Sequence, residues 1–110
     1  MKFDHATLQH ARDTYGNANQ ILVAIEELNE LACVLAKYPR FDTHEAALQK
    51  TAQAATDEVA DVYVILEHVK AIFGMTDNTL QRVIDKKTDR LSRWMTVSDS
   101  MEQTTIDREV

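Results

Sequence analysis

The scarcity of chain-breaking residues is what most constrains this sequence. Two glycines and one proline occur in 110 residues, so few positions can reverse the chain sharply or end a helix by force. Between them Ala, Leu, Glu, Gln and Lys recur, all good helix formers. A chain this long supports one compact domain, and 45% hydrophobic residues suffice for a core. The expectation is an all-α antiparallel bundle of about four helices.

The few breaks place those helices. A short one runs from about Asp4 to Thr14, ahead of Gly16. The second runs from about Asn17 to Lys37 and stops at Tyr38-Pro39, since proline disfavours a helical residue before it. The third opens at Asp42 or Thr43, where Asp42 and Glu45 have capping-box spacing, and it ends at Gly74, a left-handed C-cap. A bend is expected in its small, polar stretch Lys50 to Thr56. The fourth runs from Thr76 or Asp77 to about Thr96. Residues 1–96 read as one helical domain and residues 97–110 as a polar tail, frayed or docked on a partner. Short connections make neighbours antiparallel, so the second and third helices should lie side by side.

Some functions are disfavoured at once. A formal net charge of -6 is wrong for a general nucleic-acid binder, which needs a basic surface to release counterions. A single cysteine, Cys33, excludes an intrachain disulfide and a multi-cysteine zinc site, and reads as a small buried hydrophobe. No apolar run approaches the roughly 20 residues of a membrane span, and Met1 to His5 lacks a signal-peptide core. These features point to a cytoplasmic protein. His5, His10, His44 and His68 show no metal spacing, and no Glu-x-x-His, P-loop or nucleophile triad occurs.

The acidic residues are more informative. At about 100° per residue, Ile21, Ala24, Ile25, Leu28, Leu31, Ala32 and Leu35 form the apolar stripe of the second helix, widened by Val23 and Val34. Glu27 and Glu30 fall within its margin, and Glu26 points further round. On the third helix the stripe is Val59, Val62, Ile65, Leu66, Val69, Ile72 and Phe73. Glu58 projects into its middle and Asp61 lies at its edge, while Glu67 and Ala60 take the exposed side. A buried carboxylate without a partner is costly, and several together repel. Each pair is spaced i, i+3, which sets the side chains roughly 5–6 Å apart on one face. Two such pairs on antiparallel neighbours make an oxygen-lined cage. Hard oxygen ligands suit Mg²⁺ or Mn²⁺. Salt bridges to Lys or Arg, which cluster on the fourth helix, are the competing explanation.

Glu26-Glu27-Leu28-Asn29-Glu30 followed by Glu58-Val59-Ala60-Asp61 resembles the EExxE…ExxD signature of the MazG-like, all-α nucleoside triphosphate pyrophosphohydrolases. The flanking Gln20 to Ile25 and Val62 to Glu67 fit as well, and Ile84-Asp85-Lys86-Lys87-Thr88-Asp89-Arg90-Leu91 resembles the family's Lys-x-x-Asn-Arg stretch. The resemblance covers about Tyr15 to Trp94. It implies that Glu27, Glu30, Glu58 and Asp61 bind Mg²⁺ and that Glu26 helps position the attacking water. It also implies that Lys87, Asp89 and Arg90 contact phosphate or sugar, with Gln20 within reach of the nucleotide. Lys86 and Arg93 are further cations on the same helix, which read otherwise as a solvated basic face. The implied reaction converts a nucleoside triphosphate to monophosphate and pyrophosphate in a dimer or tetramer. Apolar residues nearly all round the second helix also favour burial against another copy. Asp89 departs from the pattern, because a carboxylate cannot donate as the usual amide can. That departure supports the alternative of a non-catalytic module that binds a nucleotide or a partner.

Overall fold

The computed structural model describes residues 1–38 and 44–100, the last two by backbone alone. Among the described residues the chain forms helices and no strand: α1 (His5–Tyr15), α2 (Asn17–Leu35), α3 (Glu45–Phe73) and α4 (Asp77–Ser100). None is long and apolar enough to cross a membrane. By contacts the chain divides into two units, Met1–Gly74 and Met75–Val110.

Local chemistry sets most helix ends. The Asp4 carboxylate accepts from the Thr7 amide at 3.1 Å and from its hydroxyl at 2.8 Å, satisfying one of the free N–H groups at the start of α1. Gly16, at φ 86°, supplies the break between α1 and α2, a backbone conformation glycine adopts without strain. Gly74 closes α3 as a left-handed cap at φ 67°, its N–H directed to Ala71 and Lys70 carbonyls. Thr76 caps α4, its hydroxyl oxygen accepting from the Thr79 amide at 3.1 Å.

Three boundaries differ from expectation. α2 ends at Leu35, with Ala36 and Lys37 forming a turn before Tyr38. The stop at Pro39 and the capping box begun by Asp42 lie outside the described residues. α3 continues unbroken through Lys50 to Thr56. Its threonines do not disrupt it because Thr51 and Thr56 donate their hydroxyls back to the Ala47 and Ala52 carbonyls, each at 2.8 Å. α4 runs past Thr96 to Ser100.

In the first unit α2 and α3 pack along their lengths, with α1 against both. Gln20 shares a cleft with His68, Glu27 meets Glu58 and Asp61, and Val34 shares another cleft with Thr51. Rising numbers on α2 thus meet falling numbers on α3, and the pair is antiparallel. The seam takes Gln20, Ala24, Glu27, Leu31 and Val34 from α2, all buried or half-buried. From α3 it takes Thr51, Ala55, Glu58, Val62, Ile65, Val69 and Ile72, also buried or half-buried. Both sets step by alternating three and four residues, the spacing of helices packed nearly parallel to one another's axes.

A second apolar stripe, one residue further along each helix, is open. Ile25 and Leu28 on α2 are 51% and 46% exposed, and Leu66 and Phe73 on α3 are 40% and 65% exposed. One residue is a turn of about 100°. Because the helices are antiparallel, that turn carries both stripes to the same side of the pair. The stripe read from the sequence as core is therefore split, and only Ala24, Val34 and Ile65 are buried apolar residues among those described. Two further expectations are corrected. Cys33 is exposed, since it precedes seam residue Val34 by one position and points away. Glu67 is half-buried and ion-paired to Lys70 at 2.9 Å, on a helix that α1 packs against.

Candidate metal centre

Glu27, Glu58 and Asp61 each bring a carboxylate oxygen within 4.8 Å of the others. Glu27 and Glu58 are half-buried seam residues, and Asp61 is exposed at the rim. Helical spacing explains the arrangement: Glu58 and Asp61 are one turn apart on α3, and the antiparallel register sets Glu27 opposite both. The Oε2 atoms of Glu27 and Glu58 are shielded from solvent and have no hydrogen-bond partner.

Desolvation pushes both glutamates above the ordinary carboxylate range, and the neighbouring charges of Glu30 and Asp61 push them further. Across the helix seam Asp61 adds to the upward push on Glu27, and Glu30 to that on Glu58. Glu30 is exposed beside Glu58 and outside the 4.8 Å group. Glu26 is exposed, on the side of α2 away from the open apolar stripe.

Within the described residues of Met1–Gly74 no salt bridge holds the cluster. Among the described residues Lys70 pairs with Glu67 and Arg93 with Asp89, and none of Glu27, Glu30, Glu58 or Asp61 has a Lys or Arg partner. Buried carboxylates with occluded, unpartnered oxygens are costly unless a cation meets them. An all-oxygen donor set without His or Cys fits a hard divalent ion.

Next to the carboxylates a cleft of ≈ 240 Å³ runs between α2 and α3, lined by Gln20, Val23, Glu27, Asp61, Val64, Ile65 and His68. Gln20 and His68 are 7% and 4% exposed. His68 Nδ1 lies 3.0 Å from Nη1 of Arg12 on α1. A guanidinium only donates, so Nδ1 accepts and the ring proton sits on Nε2. Burial, then the Arg12 charge, hold the imidazole below its usual pKa, and it is neutral near pH 7. His68 was missed in the sequence because a metal-spacing search ignores single histidines. The signal was present: His68 follows Asp61, and Gln20 precedes Glu27, by the same two helical turns.

Lys87, Asp89 and Arg90 are exposed on α4, in the second unit. Asp89 binds Arg93 at 2.9 Å across one turn. Lys86, Lys87, Arg90 and Arg93 line a shallow groove with Val83 and Asp89.

No family model, no curated protein and no solved structure matches this chain.

Proposed function

We propose that this protein is a Mg²⁺-dependent nucleoside triphosphate pyrophosphohydrolase, with Mn²⁺ as a second competent ion, acting in cytoplasmic nucleotide-pool housekeeping. The observation that carries the reading is the convergence of Glu27, Glu58 and Asp61 with two occluded, unpartnered oxygens. The MazG-like motif order gives that cluster its substrate. Held by these residues, with Glu30 beside them, a divalent ion would supply positive charge to phosphate oxygens and to an attacking water.

The chain's own groups do the rest. The water oxygen bonds to the α-phosphorus, and the bond from that phosphorus to the bridging oxygen breaks. The bridging oxygen leaves with its electron pair on pyrophosphate. Glu26 positions the water, and a carboxylate not engaged in coordination accepts its proton. Lys87 and Arg90, with Lys86 and Arg93, stabilise the leaving pyrophosphate, and Asp89 orients Arg93.

The same reading makes the protein a homo-oligomer. The open stripe of Ile25, Leu28 and Leu35 on α2 with Val59, Tyr63, Leu66 and Phe73 on α3 forms one side of a two-helix layer. Lys70, the charged residue on that stripe, is neutralised by Glu67. A second copy can cover it without like-charge repulsion, despite a net charge of -6.

The Asp89–Arg93 pair favours one second reading, a module that binds nucleotide or partner without turnover, because it occupies the side chain that would contact substrate. Incubation with a panel of ribo- and deoxyribonucleoside triphosphates and Mg²⁺, followed by a pyrophosphate assay, separates the two. Release from at least one triphosphate is expected; release from none refutes the enzyme.

A further inference from the structure

The Gln20–His68 end of the cleft is polar, and both side chains are buried there. Gln20 is nine-tenths buried, lines the cleft, and its amide has no hydrogen-bond partner among the described residues. Its amide atoms are not shut off from solvent as the Glu27 and Glu58 Oε2 atoms are, so they are free to pair with a group that enters the cleft. His68, equally buried, has Nδ1 committed to Arg12 and can offer the cleft only its Nε2–H. Val23, Val64 and Ile65 form apolar walls between these polar groups. Two helical turns, ~10 Å of rise, separate Gln20 from Glu27 and His68 from Asp61. That span is suited to a nucleotide whose phosphates lie at the carboxylates and whose base lies at the far end.

We infer that Gln20 and His68 read the base of the nucleotide, and that His68, held by Arg12, selects bases carrying a carbonyl oxygen. The inference rests on the nucleotide reading given above. The apolar walls accept an aromatic ring. The Gln20 amide both donates and accepts, so it pairs with any base edge and discriminates little. His68 is the selective group. In its fixed tautomer it donates and cannot accept, which suits the carbonyl oxygens of uracil, thymine, cytosine and guanine. Adenine has no carbonyl oxygen: its acceptors are ring nitrogens, and N1 and N7 are flanked by an exocyclic amino donor that the Nε2–H opposes. Arg12 acts through His68 and is a positioning residue.

The experiment measures pyrophosphate release by the full chain from each of the four deoxynucleoside triphosphates, in wild type, His68→Leu, His68→Gln, Gln20→Leu and Arg12→Gln. Inorganic tripolyphosphate, which has no base, serves as a competitor throughout. Wild type should favour carbonyl-bearing bases over adenine by about tenfold or more in kcat/KM, the scale of one missing polar contact. His68→Leu should remove that preference, raising KM more than it lowers kcat, without altering inhibition by tripolyphosphate. His68→Gln, which keeps a donor, should restore part of it. Arg12→Gln should weaken it, and Gln20→Leu should raise KM for every nucleotide. Activity with an unchanged base preference in His68→Leu, or an unchanged KM in Gln20→Leu, overturns the inference. If His68→Leu does not fold, Gln20→Leu and His68→Gln decide. Absence of pyrophosphate release from any nucleotide by wild type overturns the function itself, a separate result.

Discussion

Glu27 on α2 and Glu58 on α3 meet across the helix seam, each with an Oε2 atom that touches neither solvent nor a hydrogen-bond donor. Seam positions on either side hold Ala24, Leu31, Ala55 and Val62, which is where an uncompensated carboxylate is least favourable. The pair therefore works against the metal-free fold, and that has measurable consequences.

The first concerns pH. Both glutamates have folded-state pKa values above their ordinary value, so the folded state binds protons more tightly than the unfolded chain. Their contribution to stability is fully present below pH ~4.5 and is lost as pH rises through the raised values. His68 acts oppositely: its pKa is lowered from 6.5, so its contribution is fully present above that value and is lost as pH falls below it through the lowered one. Thermal melts of the metal-free protein in wild type and Glu58→Gln isolate the carboxylate part. The variant should melt a few degrees higher than wild type at pH 7, with the difference vanishing near pH 4. A lower melting temperature for Glu58→Gln at pH 7 would contradict this account.

Mg²⁺ should reverse the penalty. An ion that binds the folded chain alone raises its stability by about 2.7 kcal/mol at a hundred times its Kd. Titrating Mg²⁺ against wild type should raise Tm at pH 7, and Glu27→Gln or Asp61→Asn should abolish both that rise and pyrophosphate release. If both variants keep the Mg²⁺ response, the ligands lie elsewhere.

The open stripe predicts self-association. Sedimentation velocity at tens of micromolar should give twice the chain mass or a higher multiple. Leu28→Glu combined with Leu66→Glu should give a single-chain species that keeps its helical circular dichroism. A monomeric wild type would refute the proposed interface.

Gly74 offers a test of the backbone. A Cβ there meets nothing within 4 Å, but φ is +67°, so only the left-handed conformation opposes a side chain. Gly74→Ala should cost about 1–2 kcal/mol, and Gly74→Asn less, as read from urea denaturation midpoints.

How much of this was legible in the sequence follows from particular residues. Gly16 and Gly74 marked two breaks because a positive φ is a local requirement that glycine meets. The span Lys50 to Thr56 was misread as a bend: composition there is polar, but each threonine hydroxyl finds a carbonyl one turn back within its own helix. Glu58 stood out on the helical wheel because one carboxylate amid Val59, Val62 and Ile65 breaks the pattern. Its meeting with Glu27 could be anticipated from antiparallel packing. Glu30's place outside the closest group could not, since one turn of a helix changes which side of the seam a side chain reaches.

By itself, then, the sequence determined the helices and the candidate acidic positions, because helical propensity, caps and periodicity act over a few residues. The tertiary structure decided which of two adjacent apolar stripes became the seam and left Leu28 and Leu66 open. It set Glu27 against Glu58 and Asp61, and it joined Arg12 to His68 across 56 residues of chain. Those outcomes depend on the register between α2 and α3 and on where α1 packs, and register is a property of two surfaces meeting that neither helix encodes alone.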